Sequence, residues 1–204
     1  MKPAPFDYIA ATSVDMAALP ASPWVARFAP LARSGEALDL ACGSGRHTRL
    51  LAAQGIQVLA VDRNPVALAA SAGEGVTTLA CDLEADGATW PFEAGRFAVI
   101  VVTNYLHRPL FAQIAASLRP DGILIYETFA QGNEVYGKPS NPAFLLAPGE
   151  LLTLAQDGGL QVLAYEDGHV ERPHPAQVQR LCAAGPAYGK TEAWLDHIVV
   201  RNEP

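Results

Sequence analysis

Charge is scarce in this chain and cysteine scarcer still. Only 17% of the 204 residues are Asp, Glu, Lys or Arg, while half are hydrophobic. That balance excludes a disordered polar chain and predicts one globular domain with an ample core. Three cysteines, Cys42, Cys81 and Cys182, are odd in number and lack C-x-x-C spacing, so neither a disulfide framework nor a metal site is indicated. No apolar run approaches the ~18 residues of a membrane span, and none near the start reads as a signal peptide. A cytoplasmic location is therefore expected. Acidic residues outnumber basic ones for a net charge of −7, which disfavours a broad electrostatic grip on nucleic acid. Internal repeats and low-complexity tracts are also missing.

Against these absences stands one dense motif, Ala37-Leu38-Asp39-Leu40-Ala41-Cys42-Gly43-Ser44-Gly45-Arg46-His47-Thr48. A short apolar run ends in a glycine turn, and a helix-like segment follows at once. Gly43 and Gly45 let the backbone turn tightly and a ligand approach the main chain. A second apolar run, Val58-Leu59-Ala60-Val61, ends in Asp62, 19 residues past Gly43. An acid about 20 residues beyond such glycines accepts hydrogen bonds from ribose hydroxyls, which marks a nucleoside-cofactor site. Dinucleotide folds want a third small residue in G-x-G-x-x-G/A. Here that position holds the bulkier, β-branched Thr48.

The segment Asp39-x-Ala41-x-Gly43-x-Gly45 resembles the first motif of the class I S-adenosylmethionine-dependent methyltransferases. The resemblance implies that Asp39, Ala41, Cys42, Gly43 and Gly45 surround the methionine end of the cofactor. It also implies that Asp62, with Arg63 beside it, holds the ribose. Asp82-Leu83 follows a third strand-like run, and in the family an Asp there accepts from the adenine amino group while the next N–H meets the ring. Thr103-Asn104-Tyr105-Leu106-His107 closes the fourth run, at the carboxyl edge where open α/β sheets place ligands. Asn104 is a further cofactor candidate. Leu118-Arg119-Pro120-Asp121-Gly122 resembles the family's turn before the fifth strand. The small tellurite-resistance-type bacterial methyltransferases are the subgroup it resembles in length and late motifs.

Strand-like runs near 36–40, 57–61, 76–81, 97–103, 122–129, 160–167 and 193–201 alternate with helical patterns near 46–54, 65–72, 109–118 and 148–157. The alternation predicts a doubly wound, mostly parallel seven-stranded sheet, Rossmann-like, closed by an antiparallel edge strand. One methyltransferase domain over 1–204 is expected, with residues 1–34 as a helical or irregular cap. Within that cap Ser22-Pro23 reads as a helix start, with Trp24 and Phe28 on one face.

Arg46, His47 and Arg49 crowd the first turn of the second helix, where the macrodipole disfavours each cation by about 0.3–1 kcal/mol. An anion nearby offsets that cost, and the methionine carboxylate makes Arg46 a cofactor candidate. Methyl transfer is an in-line displacement that asks mainly for alignment. No catalytic residue is secure, and Tyr105 and His107 are the weak candidates; Tyr126 and Glu127 alternate to opposite faces. His169-x-Glu171-x-x-His174 reads as a polar turn, because Pro173 breaks any helix aligning the histidines. Residues 130–148, rich in Gly and Pro, form a candidate lid carrying Tyr136 and Phe144.

The expected function is methyl transfer from S-adenosylmethionine to a small-molecule acceptor. An RNA or protein acceptor, or a non-catalytic S-adenosylmethionine-binding protein, are the alternatives. The fourth run lacks the N/D-P-P-Y/F tetrapeptide of exocyclic-amine nucleic-acid methylation.

Overall fold

Seven strands form one sheet in the computed structural model, which describes residues 19–189. They are β1 Glu36–Leu40, β2 Gln57–Asp62, β3 Val76–Ala80, β4 Phe97–Thr103, β5 Leu118–Phe129, β6 Gln161–Val170 and β7 Ala176–Ala184. Their spatial order is β3-β2-β1-β4-β5-β7-β6. The first five run parallel, and β7 is antiparallel to both β5 and the edge strand β6. The order reverses between β1 and β4, the switch point at which such sheets open a ligand crevice.

Two hydrophobic layers explain the uninterrupted apolar runs. The helices are α1 Pro23–Phe28, α2 Arg46–Ala53, α3 Pro65–Ala69, α4 Phe111–Ser117 and α5 Glu150–Asp157. One sheet face buries Leu38, Ile100, Val102, Leu124 and Leu181 against Ile114 of α4 and Leu151 and Leu154 of α5. The other buries Ala37, Val99, Val101, Ile123 and Cys182 against Trp24 and Phe28 of α1 and Leu51 of α2. Every residue of β4 is buried. A strand covered on both faces has no side to give to polar residues, and each large aliphatic chain it buries contributes about 1.5–3 kcal/mol.

Local signals act as their chemistry dictates. Ser22 caps α1 by accepting from Trp24 N at 3.1 Å, and the Trp24 and Phe28 rings meet edge-on at 4.6 Å. Asn64 caps α3 through Val66 N and Ala67 N, with Pro65 in the first turn.

Two expectations change. The closing antiparallel strand is β7, Ala176–Ala184, whereas the run at 193–201 lies outside the described residues. The stretch after Leu118 is the irregular start of β5 rather than a free turn: pairing slips from Phe97↔Leu118 to Val99↔Ile123. Gly122 serves close approach there, since a Cβ on it would lie 2.9 Å from the Ala98 carbonyl oxygen.

Candidate functional site

The loop after β1 owes its shape to three left-handed residues, Ala41 (φ 54°), Gly43 (φ 55°) and Gly45 (φ 80°). The two glycines answer different needs. A Cβ on Gly45 would sit 2.4 Å from the Ser71 Cβ, so this position lets α2 begin against the end of α3. A Cβ on Gly43 would meet nothing within 4 Å, leaving a bare backbone against open space. Asp62, at the end of β2, holds this turn. Its Oδ2 accepts from Gly43 N at 2.8 Å and its Oδ1 from Asn64 N at 2.8 Å. Each oxygen keeps a lone pair for a further donor.

Asp39 lies fully buried on β1 beneath the loop. Its Oδ2 accepts from Thr48 Oγ1 at 2.6 Å, while Oδ1 has no hydrogen-bond partner among the described residues. Burial raises the Asp39 pKa to about 6, with the Thr48 hydrogen bonds and the nearby Arg46 charge opposing it. Thr48, the residue that breaks the dinucleotide glycine pattern, is thus the donor that holds this acid. That role was readable only as a departure from a rule.

Ala41, Asp62, Arg63, Asp82, Leu83 and Tyr105 converge on one cleft, which Val61, Cys81 and Glu84 complete. Asp82 Oδ1 accepts from Glu84 N at 3.0 Å, which turns the carboxylate at the end of β3 and leaves Oδ2 for a ligand. Asn104 (φ 53°) does not line this cleft; it is exposed, and its N–H donates to the Glu127 carbonyl at 2.9 Å. Cys42 is buried, and burial pushes its thiol up to about 12, the behaviour of a packing residue rather than a nucleophile. Tyr105 lines the cleft with its phenol pKa raised, first by burial and then by Glu84. A phenol held protonated is no base. His107 Nδ1 lies 3.8 Å from Glu84 Oε2, near the surface.

The three cations expected at the start of α2 separate. His47 is not one of them: burial, then Arg46, lowers its pKa to about 3. Its Nε2 accepts from Ser22 N at 3.1 Å, which fixes the ring proton on Nδ1, 3.2 Å from Thr103 Oγ1. Arg49 folds back onto the Ser44 carbonyl at 2.6 Å. Arg46 stays half-buried between the charges of Asp39 and Glu127.

A second polar group joins elements remote in sequence. Ser22 Oγ donates to Glu127 Oε2 at 2.9 Å, and Arg180 Nε lies 2.8 Å from the same oxygen. Arg180 also pairs with Glu166 at 3.1 Å. Tyr126, by contrast, is buried on the opposite face, with its hydroxyl donating to the Tyr105 carbonyl at 2.9 Å.

Residues 130–148 are anchored at several points. Ala130 N donates to the Gln177 carbonyl and Gln131 N to that of Leu146, each at 2.9 Å. Arg108 donates to the carbonyls of Ala143 (2.7 Å) and Leu145 (2.9 Å) while gripping Glu150 through both oxygens. Tyr136 and Phe144 remain 47% and 49% exposed. The Tyr136 ring lies 4.8 Å from that of His169, and among the described residues no group of His, Cys, Asp and Glu is disposed to hold a metal. No described helix is long and apolar enough to cross a membrane.

Residues 37–122 match the methyltransferase domain family. TehB from Haemophilus influenzae superposes with a TM-score of 0.65 at 18% identity, over 79% of this chain and 61% of that one. The chain thus spans less than two thirds of TehB's length. A TehB-like S-adenosylmethionine-dependent methyltransferase from Corynebacterium glutamicum gives 0.60 at 20% identity, covering 83% and 90%. Geranyl diphosphate C-methyltransferase from Streptomyces coelicolor gives 0.59 at 18% identity, covering 78% of each. These likenesses concern the fold. No curated protein sequence matches the chain. The match over residues 37–122 and the superpositions agree on one fold, that of the class I S-adenosylmethionine-dependent methyltransferases.

Proposed function

We propose that this methyltransferase carries a methyl group from S-adenosylmethionine to a small-molecule acceptor, with its glycine loop and three acidic strand ends holding the donor. The observation that carries the reading is Asp39 Oδ1, a buried carboxylate oxygen without a partner among the described residues, below a glycine turn where a Cβ on Gly43 would meet nothing within 4 Å. An unmet acceptor of that kind costs about 1–3 kcal/mol, more when charged, so a cationic donor is the natural complement. The α-ammonium of the cofactor supplies one, and Arg46 is the available partner for its carboxylate. Asp62 takes the ribose hydroxyls, Arg63 flanks them, Asp82 Oδ2 takes the adenine amino group, and the Leu83 N–H meets the ring.

The cofactor brings a methyl group already activated on a sulfonium, so the chain's work is alignment and exclusion of water. Asp39 and Asp82 hold the two ends of the donor and Asp62 its ribose, all three at or beside strand ends whose backbone is locked in the sheet. A small-molecule acceptor is supported by the net negative charge and by a small-molecule enzyme among the structural neighbours. Methyl transfer by the purified protein across small molecules, RNA and protein acceptors tests the reading. Turnover of RNA or protein alone would replace the acceptor class, and tight cofactor binding without any turnover would make the chain a sensor.

A further inference from the structure

Thr103, Glu127, Arg180 and Glu166 occupy directly opposed positions on β4, β5, β7 and β6. Opposed residues on neighbouring strands share a face, so these four form one polar row near the carboxyl ends of β4 and β5. The row begins at His47, in the first turn of α2, and Ser22 stands over its middle. It therefore starts beside the proposed methionine end of the donor.

Within the row Glu127 is nine-tenths buried, with the Arg46 charge nearby, and its hydrogen bonds fall on one oxygen. Ser22 Oγ and Arg180 Nε both address Oε2, and no described residue donates to Oε1. Neither holder is free to move. Ser22 is fixed through Trp24 N and His47, and Arg180 through Glu166, with its guanidinium 6.0 Å above the Trp24 ring. Burying such a pair is costly, and in bare structural terms a hydrophobic pair would often serve as well. A rigid carboxylate near a strand's carboxyl end, with one oxygen to which no described residue donates, is suited to receive a donor from a ligand.

We propose, building on the donor site above, that Glu127 Oε1 receives the N–H or O–H of the methyl acceptor. The acceptor is then a protic nitrogen or oxygen nucleophile rather than a thiolate, an oxyanion or a hydrocarbon. The acceptor's lone pair forms the bond to the methyl carbon while the carbon–sulfur bond breaks and leaves its electron pair on sulfur. The acceptor's proton passes to Glu127 and then to solvent.

The test compares wild type with Glu127→Gln, which keeps an oxygen for Ser22 and loses the charge. S-adenosylhomocysteine affinity is measured by calorimetry. Methyl transfer is measured with amines, phenols and alcohols beside thiols, selenite and geranyl diphosphate. The expected result is turnover of a protic member, with kcat/KM down about 10²-fold in Glu127→Gln and S-adenosylhomocysteine affinity unchanged. Unchanged turnover in the variant, or wild-type turnover of none of the amines, phenols and alcohols, overturns the proposal. A parallel loss of S-adenosylhomocysteine affinity overturns it too, by giving Glu127 a purely structural part. Failure of wild type to bind S-adenosylhomocysteine strikes instead at the donor site beneath it, and the proposal falls with that site. Should Glu127→Gln not fold, Ser22→Ala loosens the carboxylate without removing it. Its turnover should fall at constant S-adenosylhomocysteine affinity, and equal turnover would again count against the proposal.

Discussion

Thr48 Oγ1 donates to Asp39 Oδ2 across 2.6 Å, tying the first turn of α2 to the acid that opens the glycine loop. The bond holds one oxygen of a buried carboxylate, and the other has no hydrogen-bond partner among the described residues. Two consequences concern pH. The Asp39 pKa stands at about 6 against an ordinary 3.8, raised by burial. A raised carboxyl pKa means its stabilising contribution is complete below about 3.8 and is lost as pH rises through about 6. Asp39→Asn should therefore stabilise the ligand-free protein at pH 7.5 by about 2–3 kcal/mol, read by thermal or urea unfolding. The wild-type affinity for S-adenosylhomocysteine should rise with pH up to about 6 and then level, since the ammonium needs the ionised acid. Asp39→Asn should bind more weakly at every pH above that.

Asp62 serves the loop and the ligand together. Asp62→Ala should weaken S-adenosylhomocysteine binding by about 1–3 kcal/mol through loss of a charged acceptor. Because Gly43 N and Asn64 N also lose their partner, local hydrogen exchange in both turns should speed up while the sheet stays protected. Unchanged affinity in the folded variant would mean that the ribose is held elsewhere.

Alanine at the two loop glycines should separate folding from binding. Gly45→Ala meets Ser71 as well as a left-handed backbone, and should cost more than about 2 kcal/mol of stability. Gly43→Ala meets only the backbone strain of about 1–2 kcal/mol, but places a methyl group in the open space of the loop. Its affinity for S-adenosylhomocysteine should fall further than its melting temperature suggests. Full affinity would move the cofactor away from that face.

The loop 130–148 is a lid proposal that its anchors narrow. Arg108 and Gln179 hold 143–147 from both sides, so closure falls to 131–141 and to the exposed Phe144 ring. Residues 131–141 should exchange faster than 143–147 in the free protein and gain protection when cofactor and acceptor are both present. Replacing Tyr136 and Phe144 together by alanine should cut turnover more than S-adenosylhomocysteine affinity. Equal exchange with and without ligands would make the segment a passive connector.

What was legible in the sequence was local. The path from Asp39 through the glycines to Asp62 lies within two strand–helix units, and each position announces its chemistry by type and spacing. The missed strand β7 shows the limit. Ala-Gln-Val-Gln-Arg-Leu-Cys-Ala-Ala buries Gln179 and nearly buries Arg180, so hydrophobic alternation fails. Gln179 is tolerated because Leu151 N and the Ala147 carbonyl satisfy it, partners about thirty residues away that only the folded chain supplies. The Ser22–Glu127 bond spans 105 residues and leaves no periodic trace. His47 misled for a related reason: beside two arginines it reads as a cation, and only its burial between Ser22 and Thr103 makes it neutral.

Calorimetric titration of the purified protein with S-adenosylmethionine, S-adenosylhomocysteine and NAD decides most directly what the glycine loop was built to hold. Both sulfur nucleosides should bind with dissociation constants on the order of micromolar, and NAD should give no heat of binding. NAD binding in preference to S-adenosylhomocysteine would contradict the account at its base.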